Sequence, residues 1–148
     1  MTERQLGFHR AVLIFLRAST ATVVLLGLAD ALLAGSFLNG HYAMLQAHRI
    51  SGMATAGVAV LQALVAILSR AIRRGLRLPT AGATALAVAL SLQVVLGLGR
   101  VLGLHVMLGV VVVTGSVLVT AGVWRTPLPA RVRPGAPTGA HPRIAATS

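Results

Sequence analysis

Two histidines share a local pattern in this chain: His48 is followed four residues later by Gly52, and His105 four residues later by Gly109. Residues four apart lie on one helix face, so each imidazole would have a glycine one turn away, leaving room for a flat, wide ligand against the backbone. The chain has no cysteine. It therefore has no disulfide framework, no thiolate metal site and no cysteine nucleophile, and metal chemistry falls to histidine. Four further polar residues stand close by in sequence or in expected depth: Asp30, Arg49, Gln93 and Arg100. Taken singly, each histidine reads as an interfacial polar residue and each arginine as an anchor whose head reaches water. Taken together, they read as a pair of ligands with cationic neighbours.

The elements that must position these residues are apolar. The chain has 148 residues, 56% of them hydrophobic, with a mean hydropathy of +0.86. A soluble domain of this size would not carry so much apolar surface. Stretches near the length of about 20 residues that spans a bilayer run over 11–35, 50–68, 80–99 and 101–124. They predict an all-α fold, a transmembrane up-down four-helix bundle over residues 1–125. Residues 126–148, rich in proline, glycine and small side chains, read as a disordered cytoplasmic tail with His141 idle in it. Small residues recur through all four spans, as expected where helix backbones pack closely in lipid.

The formal charge is +11. The arginines sit between apolar segments and at the chain ends rather than along one soluble face, which argues against a nucleic-acid partner and for topology signals. Arg4, Arg10 and Arg17 precede or open the first span. Arg70, Arg73, Arg74 and Arg77 separate the second and third, and Arg125, Arg131, Arg133 and Arg143 follow the fourth. By the positive-inside rule these clusters are cytoplasmic, so both termini face inward across a cell inner (plasma) membrane, and the loop near 36–47 and the turn at Arg100 face outward. The first span is longer than a signal-peptide core of about 7 to 15 residues and is expected to stay as an anchor.

In that orientation Asp30, His48, Arg49, Gln93, Arg100 and His105 fall at one depth near the outer face. Spans two and four lie on a diagonal of the bundle, with their outer ends level. Polar groups inside lipid need a partner or a task. Two imidazoles reaching inward across the diagonal, each with a metal–nitrogen bond near 2 Å, can hold one iron between them. A porphyrin, heme b, would then stand in the bundle core, with His48 and His105 as axial ligands and Gly52 and Gly109 beside its face. Arg49 and Arg100 would pair with its propionates. Asp30 or Gln93 would accept from an imidazole N–H. His41, in the outer loop, reads as solvated, and His9 lies at the opposite face.

With its residues laid out this way, the chain resembles one four-helix half of heme A synthase. The resemblance is carried by Gln46-Ala47-His48-Arg49 opening the second helix, Leu92-Gln93-Val94-Val95-Leu96-Gly97 ending the third and Leu104-His105 opening the fourth, within about residues 8 to 125. It implies paired histidine ligands on the second and fourth helices, which map onto His48 and His105. Three departures stand beside it. The family enzyme carries two such halves in one chain. Its glutamate one turn before the second-helix histidine has no counterpart here, where Met44 and Leu45 stand, and the outer-loop cysteine pair of many members is absent.

Three functions follow as expectations. The first is a small b-type cytochrome with one bis-histidine heme, exchanging electrons with a redox protein or quinone, or handling heme. The second is a half-sized enzyme of the heme A synthase type that rebuilds two sites as a homodimer, with Asp30 replacing the missing carboxylate. The third is a cofactor-free membrane accessory or assembly subunit whose polar residues pin its helices together.

Overall fold

The computed structural model describes residues 3–72 and 78–129. It is an all-helical transmembrane bundle of α1 (Glu3–Leu38), α2 (Met44–Ile72), α3 (Leu78–Leu98) and α4 (Leu102–Arg125). Each helix packs on the next in sequence and α4 closes against α1, while α1 and α3, and α2 and α4, face each other across the diagonals. All four are long and apolar enough to cross a bilayer.

The helices run past the apolar spans at several ends. α2 begins at Met44 rather than near residue 50, so His48 sits a full turn inside it. α1 extends from Glu3 to Leu38, well beyond 11–35. Hydropathy marks only the stretch that tolerates hydrocarbon. Helical hydrogen bonding continues through Glu3, Arg4 and Gln5 at one end and Gln46 at the other, because these straight side chains lose little rotamer freedom in a helix. The fourth span ends as expected, but packing goes on a little further: Leu128 lies against the core. His141 and the other tail residues beyond 129 lie outside the described residues, as do Arg73, Arg74 and Arg77.

Burial is distributed as lipid requires. Large apolar side chains ring the outside, among them Leu32, Leu118 and Val110. The interior is built largely from Ala56, Ala59, Ala63, Ala66, Ala83 and Ala87, interleaved with Leu13, Leu16, Leu86 and Leu90. In a bilayer, outward leucine costs nothing and association rests on close backbone approach, so the small residues turn inward. Buried hydroxyls close on their own helix: Ser19 donates to the Leu16 carbonyl, Thr20 to Arg17, Thr55 to Ser51 and Ser116 to Val113. None depends on water to satisfy it.

The two turns at one end of the bundle are alike. After α1, the Gly40 N–H donates to the Phe37 carbonyl and the His41 N–H to Ser36, with Gly40 at φ 93°. After α3, the Arg100 N–H donates to Gly97 and the Val101 N–H to Leu96, with Arg100 at φ 58°. This is the same helix-terminating double bond, which needs a left-handed residue. Glycine meets the need without penalty in the first turn. In the second, an arginine holds the strained position two residues before α4.

Candidate functional site

The histidines lie within about two turns of these two loops, on the second and fourth helices. His48 is on the first turns of α2, and the residue it meets on α1 is Asp30. Its Nδ1–H donates to the Asp30 backbone carbonyl at 3.1 Å, and the Asp30 carboxylate Oδ1 stands 3.7 Å from the same nitrogen. The other carboxylate oxygen, Oδ2, lies 3.3 Å from the Thr55 hydroxyl, whose one proton it shares with the Ser51 carbonyl at 2.8 Å.

His105, on the first turns of α4, repeats the arrangement with α3. Its Nδ1–H donates to the Gln93 backbone carbonyl at 3.0 Å, and the Gln93 side-chain amide donates back to the His105 carbonyl at 2.7 Å. In both hairpins a helical carbonyl, which has a second lone pair beyond its own i+4 bond, takes the ring proton.

From the sequence, Asp30 or Gln93 would accept from an imidazole N–H. In the structure each accepts through its backbone carbonyl, while the Asp30 carboxylate stands 3.7 Å from the His48 ring and the Gln93 amide donates to the His105 carbonyl. A carbonyl only accepts, so each neutral ring carries its proton on Nδ1 and presents Nε2 as a free lone pair. Neither Nε2 makes a hydrogen bond among the described residues. This is how a histidine ligand is held when its outer nitrogen is fixed by a partner and its inner one is left for a metal.

The two rings then meet across the diagonal. Their centroids are 6.1 Å apart and their planes cross at 88°. Two imidazoles trans to one another on a single metal need about 6 Å between ring centres, from two metal–nitrogen bonds of about 2 Å and about 1 Å from each nitrogen to its ring centre. The observed spacing fits that requirement. Among the described residues no group of three or more His, Cys, Asp or Glu could hold a metal ion. A bare ion would find too few ligands here, whereas a porphyrin brings its own four nitrogens and asks only for two axial side chains.

The glycines border polar side chains of the neighbouring helices. A Cβ on Gly52 would sit 3.7 Å from Asp30 Oδ2, in ordinary contact, and one on Gly109 would sit 3.0 Å from Gln93 Nε2. A polar side chain of the partner helix thus lies beside each, at ordinary contact for Gly52 and close for Gly109. The glycine that bears on an imidazole is Gly97. A Cβ there would lie 3.0 Å from His105 Cε1 and 3.2 Å from Nδ1, so the ring rests against the bare backbone of α3. Gly97 and Thr55 escaped the sequence reading as site residues. Gly97 lies one turn beyond Gln93, and that spacing was the available signal; Thr55 lies two turns below His48 on the buried face of α2.

Arg49 and Arg100 are both exposed at this end of the bundle. His41 is exposed in the loop after α1, and His9 is on the opposite part of α1; neither joins the pair. Two acceptor oxygens in the layer, Asp30 Oδ1 and Gln93 Oε1, are buried without a hydrogen-bond partner. Searches against family models, curated proteins and solved structures gave no match to this chain.

Proposed function

We propose that this protein is a small membrane b-type cytochrome that holds one heme between His48 and His105, for electron transfer or heme handling. The observation that carries the reading is the pair of imidazoles 6.1 Å apart across the bundle diagonal, each tethered by Nδ1 to a backbone carbonyl and each with Nε2 free. When bound, the heme would supply a one-electron iron couple. The chain's part is to hold both axial positions, keep water from them and set the tautomer of each ligand. His48 and His105 would together hold the iron of such a heme, and the chemistry it would supply in that setting is electron transfer rather than oxygenation.

Arg49 and Arg100 would meet the propionates at the membrane surface. The Arg100 backbone supports this role. A left-handed non-glycine residue costs on the order of 1 kcal/mol, and in the companion turn glycine occupies the same place. An arginine in that position, five residues before His105, supplies a charge that glycine would not.

Reduced-minus-oxidised absorption spectra of the purified protein, expressed with ample heme supply, are expected to show b-type bands. A colourless preparation would overturn the reading and leave the accessory-subunit alternative. A half-sized enzyme of the heme A synthase type is the weaker alternative, because the one carboxylate of the layer, Asp30, is held in the α1·α2 seam by Thr55 and the His48 ring.

The arginine clusters support an orientation with both termini in the cytoplasm and the histidine layer at the outer face of a plasma membrane. Cysteines introduced at Ser36 and Ser148 should then react with an impermeant thiol reagent from opposite sides: Ser36→Cys in intact cells, Ser148→Cys only after lysis. Equal labelling of both in intact cells would refute the orientation.

A further inference from the structure

The two ring planes cross at 88°, and the two hairpins do not hold them equally. On the α1·α2 side, the His48 ring has one hydrogen bond, to the Asp30 backbone; the Asp30 side chain makes its own bond to Thr55 and donates nothing back. On the α3·α4 side, ring and backbone of His105 are both bound to the same residue. The ring N–H donates to the Gln93 carbonyl, and the Gln93 amide donates to the His105 carbonyl. A turn of α4 about its axis, or a slide along α3, would break both bonds together. Gly97 closes the third side, since its bare backbone lies where a methyl would touch the ring at 3.0 Å. Gly109 provides the space in which the Gln93 amide lies.

We infer that Gln93 is a positioning residue that fixes the plane of the His105 imidazole at a right angle to that of His48, and so sets the electronic symmetry of a metal bound between them. The inference rests on the heme reading above. An imidazole donates π density only perpendicular to its own plane. Two coplanar axial rings load the same one of the metal's two π-symmetry d orbitals and split the pair. Rings at right angles load one each and leave the pair nearly equal in energy. The protein's grip on the ligand planes is thus a lever on the cofactor, distinct from the identity of the ligands.

Low-temperature electron paramagnetic resonance of the oxidised, purified protein distinguishes the cases. The wild type should give one broad, strongly anisotropic low-field feature. Gln93→Leu keeps the volume of the side chain and the backbone carbonyl that takes the ring proton, and removes the amide that holds the α4 backbone in register; α4 should then shift, the ring should turn with it, and the signal should move to a fully resolved rhombic low-spin set, with heme still bound. If Gln93→Leu does not fold, Gly109→Ala serves instead, because its methyl would displace the amide from the space it occupies. A heme-loaded wild type with a rhombic spectrum would sink the inference while leaving the bis-histidine heme standing. A variant spectrum identical to the wild-type one would show that the amide merely joins two helices. Absence of any heme band in the wild type would overturn the heme reading itself, and this inference with it.

Discussion

His105→Ala and His48→Ala are each expected to lower heme retention more than about 100-fold, since losing even an outer partner of a metal ligand typically costs about 10 to 100-fold. Among the described residues no group of three or more His, Cys, Asp or Glu could take a metal ion, and the packed interior is largely alanine, valine and leucine. Any heme that remains should be five-coordinate, visible as a shift from low-spin to high-spin bands, and added imidazole should restore the low-spin spectrum by entering the space the side chain left. His41→Ala and His9→Ala should leave the spectrum unchanged, because one ring is exposed in a loop and the other lies at the far end of α1. Loss of heme in His41→Ala, with an unchanged low-spin spectrum in His48→Ala or His105→Ala, would show that the ligand pair is misassigned. The two alanine variants should cost the bundle to a similar degree, because each loses one ring hydrogen bond and His105→Ala keeps the backbone carbonyl that accepts from the Gln93 amide.

Arg17→Leu should destabilise the bundle by about 2 kcal/mol, at the end away from the histidines. The Arg17 guanidinium donates to the Trp124 carbonyl at 3.1 Å and to the Thr126 carbonyl at 2.7 Å, and lies 5.4 Å from the Trp124 ring centre. Those carbonyls belong to the last turn of α4 and the residue after it, where the helix has no partners of its own to offer. One arginine from α1 thereby caps α4 and closes the bundle where its first and last helices meet. Each charge-assisted bond is worth roughly 1.5 to 3 kcal/mol and the cation–π contact about 0.5 to 1, but one of the two bonds is exposed and the total must be discounted for it. Side chains on α1 tilt towards its N-terminus, which aims the guanidinium along the helix to the level of Trp124. Thermal unfolding in detergent provides the measurement. Arg17→Lys should lie between wild type and leucine, because one ammonium cannot serve both carbonyls and stack on the indole as well. An Arg17→Leu protein that melts with the wild type would show that the cap contributes nothing. Heme binding in that variant should be retained in the cold, since the layer is built by different contacts.

Much of the fold was legible in the sequence. Four apolar stretches of bilayer length, separated by short polar connections, allow little besides an antiparallel four-helix bundle in lipid, because backbone groups there must be satisfied within each helix. Short loops make neighbours antiparallel and leave the second and fourth helices on a diagonal. From that placement alone His48 and His105 fall at one end, on opposite sides of the core. Composition also decided what the site could not be, since a chain without cysteine leaves metal chemistry to histidine.

The contacts that hold the histidines were decided by the tertiary structure. Spacing places His105 on the same turn of the bundle as Gln93, but whether ring proton meets side chain or backbone depends on the axial offset of two helices, a quantity that no periodicity encodes. In both hairpins that offset brings the ring to a carbonyl, and it leaves the Asp30 and Gln93 side chains for different work. The glycines show the same limit. The HxxxG pattern of Gly52 and Gly109 reads as space for a ligand along one helix, and it does not encode that Asp30 and Gln93 of the neighbouring helices lie beside those glycines or that the glycine against the His105 ring, Gly97, belongs to α3. Arg17 and Trp124 are 107 residues apart, and in sequence one reads as a topology signal and the other only as the end of the fourth span. Pattern along a chain determines which residues turn inward and at what depth; how far two helices slide and rotate against each other is set by the fit of many small side chains at once, and that fit determines which atoms touch.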